Sequence, residues 1–160
     1  MEDKNRAKSS AQSTLQLIQA LRQLHSVLPW ASITQLRAQP PADNPGMQDA
    51  LSELDWTTIE NLEQLREAVV DAACEMPLSV TVRSGWYVPG FPEGDPEEFC
   101  ILMSTGGPAV RIYGDMDRYI RPYRPQLQYQ DWFTPWETLH TSQEEDEALE
   151  WFCGCFYFGG

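Results

Sequence analysis

The stretch from Leu78 to Phe133 constrains the fold most strongly, because it consists of short runs typical of β-strands. Each run is rich in β-branched and aromatic residues and is interrupted by glycine, proline or aspartate. The four runs are LSVTVRSGWYV (78–88), EEFCILMST (97–105), AVRIYGDM (109–116) and PQLQYQDWF (125–133). Tight connections between such runs indicate an antiparallel sheet. Residues 99–103 of the second run are apolar throughout, so we predict a four-stranded sheet whose second strand is covered on both faces.

Helical patterns flank this predicted sheet. Residues 13–28 carry leucines at helical spacing, and a Thr57–Glu60 capping box begins a longer amphipathic stretch that Pro77 ends. Ser142 and Glu145 fit another capping box. The chain is therefore predicted to have an α+β fold, with N-terminal helices, a four-stranded antiparallel sheet and a C-terminal helix packed on the sheet.

A proline-rich link at 39–46 divides the chain into two parts. We predict a helical arm over 1–40, with its first 12 residues disordered, and a single α+β domain over 47–160. Two uses of the arm remain open. Helix 13–28 either forms a homodimer contact or lies across the domain, and the second is favoured because its apolar stripe needs cover.

Acidic residues dominate the composition, with 24 acids, 11 bases and a formal net charge of −13. Residues 1–38 hold five of the bases and two of the acids, so the excess negative charge lies in the rest of the chain. Such a chain repels nucleic acid and membrane surfaces and attracts basic protein surfaces. These considerations predict a basic protein partner, with no direct contact to nucleic acid or membrane. Solubility alone is the alternative explanation of the same composition.

Motifs for a specific chemistry are lacking in the sequence. The four cysteines show no metal-ligand spacing, and His25 and His140 are the only histidines. No apolar run is long enough to span a membrane, and the N-terminus has no secretory pattern. We therefore expect a cytoplasmic protein with reduced thiols that binds no cofactor or metal and is not an enzyme.

The candidate partner-binding residues are carboxylates and neighbouring tryptophans. They are Asp115, Asp117, Asp131, Trp132, Trp136, Glu137, Glu144, Glu145 and Glu147. Aromatic residues at such a surface would supply binding energy. The rival interpretation is a small enzyme or ligand-binding domain with a pocket near Trp86, Asp131 and Trp136. The arginines at 118, 121 and 124 are expected to pair with nearby carboxylates.

Three segments carry a resemblance to a known group of proteins. The segments STGGPAVRIYGDMD (104–117), YQDWFTPWE (129–137) and FCGCFYFGG (152–160) resemble those of small acidic proteins of phages and plasmids. That group includes anti-CRISPR and anti-restriction proteins. The resemblance implies an inhibitor that binds a basic surface of a host nucleic-acid-handling defence complex, in the manner of a DNA mimic. It carries over no functional residue.

Overall fold

The computed structural model describes residues 2–26, 33–39 and 44–159. The helices in these residues are α1 (Glu2–His25), α2 (Ile33–Ala38), α3 (Met47–Ser52), α4 (Leu62–Glu75) and α5 (Gln143–Cys153). The strands are β1 (Ser79–Ser84), β2 (Pro96–Ser104), β3 (Ala109–Met116), β4 (Pro122–Gln130) and β5 (Glu137–Thr138). None of the described helices is long and apolar enough to cross a membrane. The predicted α+β class is confirmed.

The strands form one antiparallel sheet in which each strand pairs with the next along the chain. The sheet has five strands, so the prediction of four was wrong. The missed strand, β5, is only two residues long and carries no strand-like run of its own. β4 starts at Pro122, earlier than predicted. Its two prolines are tolerated because a strand can begin with proline, as at Pro122, and because Pro125 lies beside an irregularity in the pairing with β3.

Burial alternates along the central strands and defines two faces of the sheet. The side chains of Phe99, Ile101, Val110 and Ile112 are buried on the face that the helices cover. The opposite side, called here the open face, carries the alternate residues of each strand. Cys100 and Leu102 of β2 lie on it and are only half-buried. The prediction that β2 is covered on both faces was therefore wrong, because a single helical layer packs on the sheet.

Helix α1 is the central element of that layer. It packs against both α4 and α5, and it also contacts β3 and β4. Its buried stripe runs from Ala7 and Ala11 to Leu24, so the predicted disorder of the first 12 residues was wrong from Glu2 onward. The apolar stripe that we considered as a dimer contact is instead buried against other elements of the same chain. Residues 27 and 28 of that predicted helix lie outside the described residues.

Local capping explains where the outer helices begin. The Asn61 side chain accepts a hydrogen bond from the Gln64 N–H and is the N-cap of α4. The predicted Thr57–Glu60 box was wrong because Asp55 binds the Thr57 N–H and hydroxyl, which holds this segment in a short 3-10 helix. The predicted capping box of Ser142 and Glu145 is confirmed at the start of α5.

The position of α1 predicts a large stability cost for a cavity in its buried stripe. Leu21 is fully buried, so Leu21→Ala should lower the free energy of unfolding by about 2–5 kcal/mol in urea denaturation. Gln12→Ala, on the exposed side of the same helix, should change it by less than about 0.5 kcal/mol. Equal small effects would mean that α1 does not belong to the cooperative core.

Candidate functional site

The predicted partner-binding residues do not form one surface. The α5 carboxylates Glu144, Glu145 and Glu147 lie in the helical layer, which covers one face of the sheet. Asp115 belongs to the open face on the other side, opposite Glu98 of β2 and Tyr123 of β4. A flat partner surface cannot contact both sides of the sheet at once, so the structure divides the predicted set.

The α5 carboxylates differ in how far local contacts occupy them. Glu145 accepts a hydrogen bond from the Ser142 N–H at 2.8 Å, as the second half of the capping box. Glu147 forms an ion pair with Arg22 of α1 at 3.4 Å, in which both side chains remain partly exposed. Glu144 is exposed and has no ion pair among the described residues. Only part of this cluster is therefore available to a partner.

Asp117 has a structural role in the connection between β3 and β4. Its carboxylate accepts hydrogen bonds from the Tyr119 N–H at 2.8 Å and the Arg121 N–H at 2.9 Å. Such contacts satisfy backbone donors that the turn leaves unpaired. Glu137, on β5, is exposed and lies opposite Tyr129. Burial, followed by a hydrogen bond to Glu137, raises the pKa of the Tyr129 hydroxyl.

The arginines beside Asp117 form no ion pair with a carboxylate in the described part of the chain. Arg118 and Arg121 instead stack over the Tyr119 ring, at 4.8 and 5.2 Å from its centroid. Arg124 lies 5.3 Å from the centroid of the Tyr123 ring. The predicted pairing with carboxylates was wrong, because cation–π stacking within the hairpin positions these side chains.

The segment 131–136 contains three candidate residues in different environments. Asp131 is only 8% exposed, which removes it as a contact residue. Trp132 is 64% exposed, and its ring contacts that of Phe133 with centroids 6.0 Å apart. Trp136 is half-buried against Arg111, whose guanidinium lies 4.1 Å from its ring centroid. Trp136 therefore belongs to the packing of the open face, whereas Trp132 is available at the end of the sheet.

The open face is electrically balanced. Arg83 contacts Glu98, and the Arg83 guanidinium also lies 3.5 Å from the Tyr113 hydroxyl. The Tyr113 hydroxyl, followed by Arg83, lowers the pKa of the Glu98 carboxyl, while burial and then Glu98 raise the pKa of Tyr113. The side chains of Arg111 and Asp115 add one charge of each sign. The excess negative charge is therefore not presented by this face.

Sequence reasoning placed Glu60, Glu63, Glu67, Asp71 and Glu75 on the polar side of the helix that Pro77 ends, but did not count them as partner-binding residues. Glu63, Glu67, Asp71 and Glu75 follow one another at four-residue spacing, and all four are exposed. Four residues of helix advance by about 6 Å, so the row extends for roughly 18 Å along α4. It lies opposite the buried stripe of Leu65, Val69 and Ala72. The sequence shows these residues as the polar half of an amphipathic pattern, and the polar half of a helix usually just faces solvent.

The rival pocket is not assembled by this fold. Trp86 follows the end of β1, where the register aligns Ser84 with Pro96, whereas Asp131 and Trp136 flank the end of β4 near Ala109. These are opposite ends of the sheet. A polar cleft of about 530 Å³ lies elsewhere, between α1 and α5, and Arg22, Glu144 and Glu147 are among its lining residues.

The thiols of Cys153 and Cys155 are poorly suited to nucleophilic chemistry. Burial, followed by proximity to Cys74, raises the pKa of Cys155 to about 11, and burial raises that of Cys153 further. Nucleophilic attack requires the thiolate, which these environments disfavour. The described residues contain no group of three histidine, cysteine or acidic side chains that could hold a metal ion.

The two tryptophans should respond differently to truncation. Trp136→Ala removes a half-buried ring and its stacking with Arg111, so it should lower the free energy of unfolding by about 2 kcal/mol. Trp132→Ala, at an exposed position, should change it by less than about 0.5 kcal/mol. Thermal and urea denaturation of both variants would check this, and similar losses would contradict the assignment of Trp136 to packing.

Comparisons with known proteins found no relative whose surfaces could be set beside these. The sequence matches no protein-family model, no curated protein and no solved structure. What the chain does must therefore be inferred from its own charges and contacts.

Proposed function

We propose that this chain is a non-enzymatic acidic binding protein that occupies a basic surface of a nucleic-acid-handling protein. The observation that carries this proposal is the α4 row of Glu63, Glu67, Asp71 and Glu75. All four side chains are exposed, and none forms an ion pair within the described residues. The row therefore offers four carboxylates along one side of a helix whose one base is Arg66.

The row is unfavourable for the helix that carries it. Each pair of like charges four residues apart lowers the stability of a helix by about 0.2–0.5 kcal/mol. Asp71 and Glu75 lie toward the C-terminal end of α4, where the helix dipole disfavours negative charge, and the last turn has no basic residue. Helix stability alone would not select this arrangement, whereas attraction of a cationic partner would benefit from it.

The geometry of the helical layer supports a partner that normally holds nucleic acid. Helix α1 packs against both α4 and α5, and Cys74 near the end of α4 contacts Cys155 just after α5, so the two acidic helices belong to one part of the molecule. The α4 row, together with the exposed Glu144 of α5, resembles, at lower density, the phosphate charges of a duplex. The chain would thus act as a DNA mimic in a basic cleft.

The resemblance of the sequence to anti-defence proteins suggests which partners to test first. CRISPR and restriction complexes both have basic clefts for nucleic acid, and an acidic protein in such a cleft blocks access to it. The α4 row is the part of the surface assigned to this contact. Asp131 and Trp136 are left out of it because they are buried or packed.

Charge reversal on α4 tests this proposal against a control with the same net charge. Glu67→Lys combined with Asp71→Lys should reduce partner capture from a host lysate at 0.1 M salt by at least about tenfold. Glu93→Lys combined with Asp95→Lys changes the same number of charges in the exposed loop before β2 and should retain most of the capture. The captured protein, once identified, should release labelled duplex DNA when the wild-type chain is added.

The salt dependence gives the second readout. Capture by the wild-type chain should weaken steeply as salt rises, because each charge–charge contact is screened. The α4 double variant should show a shallower dependence. Equal capture by both double variants, or capture that persists unchanged at 1 M salt, would contradict the proposal.

A further inference from the structure

Strand β1 is an uncovered edge of the sheet. It pairs with β2 on one side, and no described strand pairs with its other side. The opposite edge is β5, which is only two residues long and therefore offers little backbone for pairing. The six residues of β1 thus present the longest free row of backbone donors and acceptors in the described sheet.

The side chains around this edge are unusually apolar for an exposed strand. Leu78 is 60% exposed and Val82 is 43% exposed, although both belong to apolar types that strands normally bury. The loop that follows β1 exposes a further apolar group, made up of Trp86, Tyr87, Val88 and Phe91. Exposed edges of this kind usually carry lysine, proline or a bulge as protection. Between Ser79 and Val82, β1 has none of these, and the irregularity in its pairing with β2 lies at its end, between Arg83 and Ser84.

We propose that β1 pairs with β1 of a second copy of this chain, in an antiparallel register centred on Thr81. In this register Val80 of each copy faces Val82 of the other on the helix side of the sheet. The two Thr81 residues face each other on the open face, and Ser79 faces the partner's Arg83. The strand is therefore complementary to itself, as a two-fold symmetric interface requires.

The charge pattern favours a second copy over a basic partner at this edge. Residues 76–92 contain no acidic residue and one basic residue, Arg83, so nothing in the segment attracts a cationic surface. Arg83 is already balanced within its own chain by Glu98. Two chains of net charge −13 repel each other, and β1, which itself carries no acidic residue and has Glu93 only at its Ser84 end, is a place where they can approach.

The opposite salt responses separate this inference from the proposed function, on which it does not depend. Salt screens the repulsion between two acidic bodies, so the dimer should become tighter as salt rises. Binding of a basic partner should become weaker over the same range. Either result can fail without the other.

Light scattering across a concentration series tests the dimer. The wild-type chain should change from 18.3 kDa toward twice that mass as concentration rises. Val82→Lys places a charge at the interface and should raise the dissociation constant at least about tenfold. Phe133→Lys makes the same kind of change at a fully exposed residue at the other end of the sheet, and should leave the constant unchanged. A monomer at every concentration, or equal effects of both variants, would overturn the proposal.

Disulfide trapping tests the register directly. Residues directly opposite in an antiparallel pair have Cα atoms about 4.5–5.5 Å apart, within the range for a disulfide. The background carries Cys74→Ser and Cys100→Ser, because Cys74 is exposed and Cys100 lies opposite Thr81 in the same chain. On mild oxidation Thr81→Cys should give a covalent dimer, and Ser79→Cys should not. Any other pattern would overturn the proposed register.

Discussion

The packing of the α1 stripe against the sheet and its two neighbouring helices is the contact on which the rest of the structure depends. Leu15, Ile18, Leu21 and Leu24 are buried beneath this helix, which contacts α4, α5, β3 and β4. A helix in this central position determines where both acidic helices lie. The aromatic contact between His25 and Trp151, with ring centroids 5.4 Å apart, fixes its C-terminal end against α5.

This arrangement separates the charges of the chain by location. The acids of α4 and α5 lie on the outer helices, while Arg22 of α1 reaches toward α5 and compensates only part of the charge there. The open face balances its charges through Arg83, Glu98 and their neighbours. The basic hairpin after β3 is held by stacking on tyrosines. The negative charge of the helical layer thus lies on α4, where the proposed partner contact is placed, and on α5.

Features that depend on nearby residues were predictable from the sequence. The Ser142–Glu145 capping box and most of the strand positions depend on contacts over a few residues, and the structure reproduces them. The start of α4 was not predictable in this way, because Asp55 competes for Thr57. The burial of Asp131 and the exposure of Val82 depend on which strands pair, and that is decided by contacts far apart along the chain. The α4 row was visible as a pattern, but the structure was needed to show that none of its carboxylates forms an ion pair within the described residues.

Carboxyl labelling followed by mass spectrometry would test the central claim most directly, since it reports the accessibility of each carboxylate in the free chain and in the complex with its captured partner. The account predicts that Glu63, Glu67, Asp71 and Glu75 react readily in the free chain and become protected in the complex. Glu93 and Asp95 should react equally in both. Unchanged labelling of the α4 carboxylates in a stable complex would contradict the account.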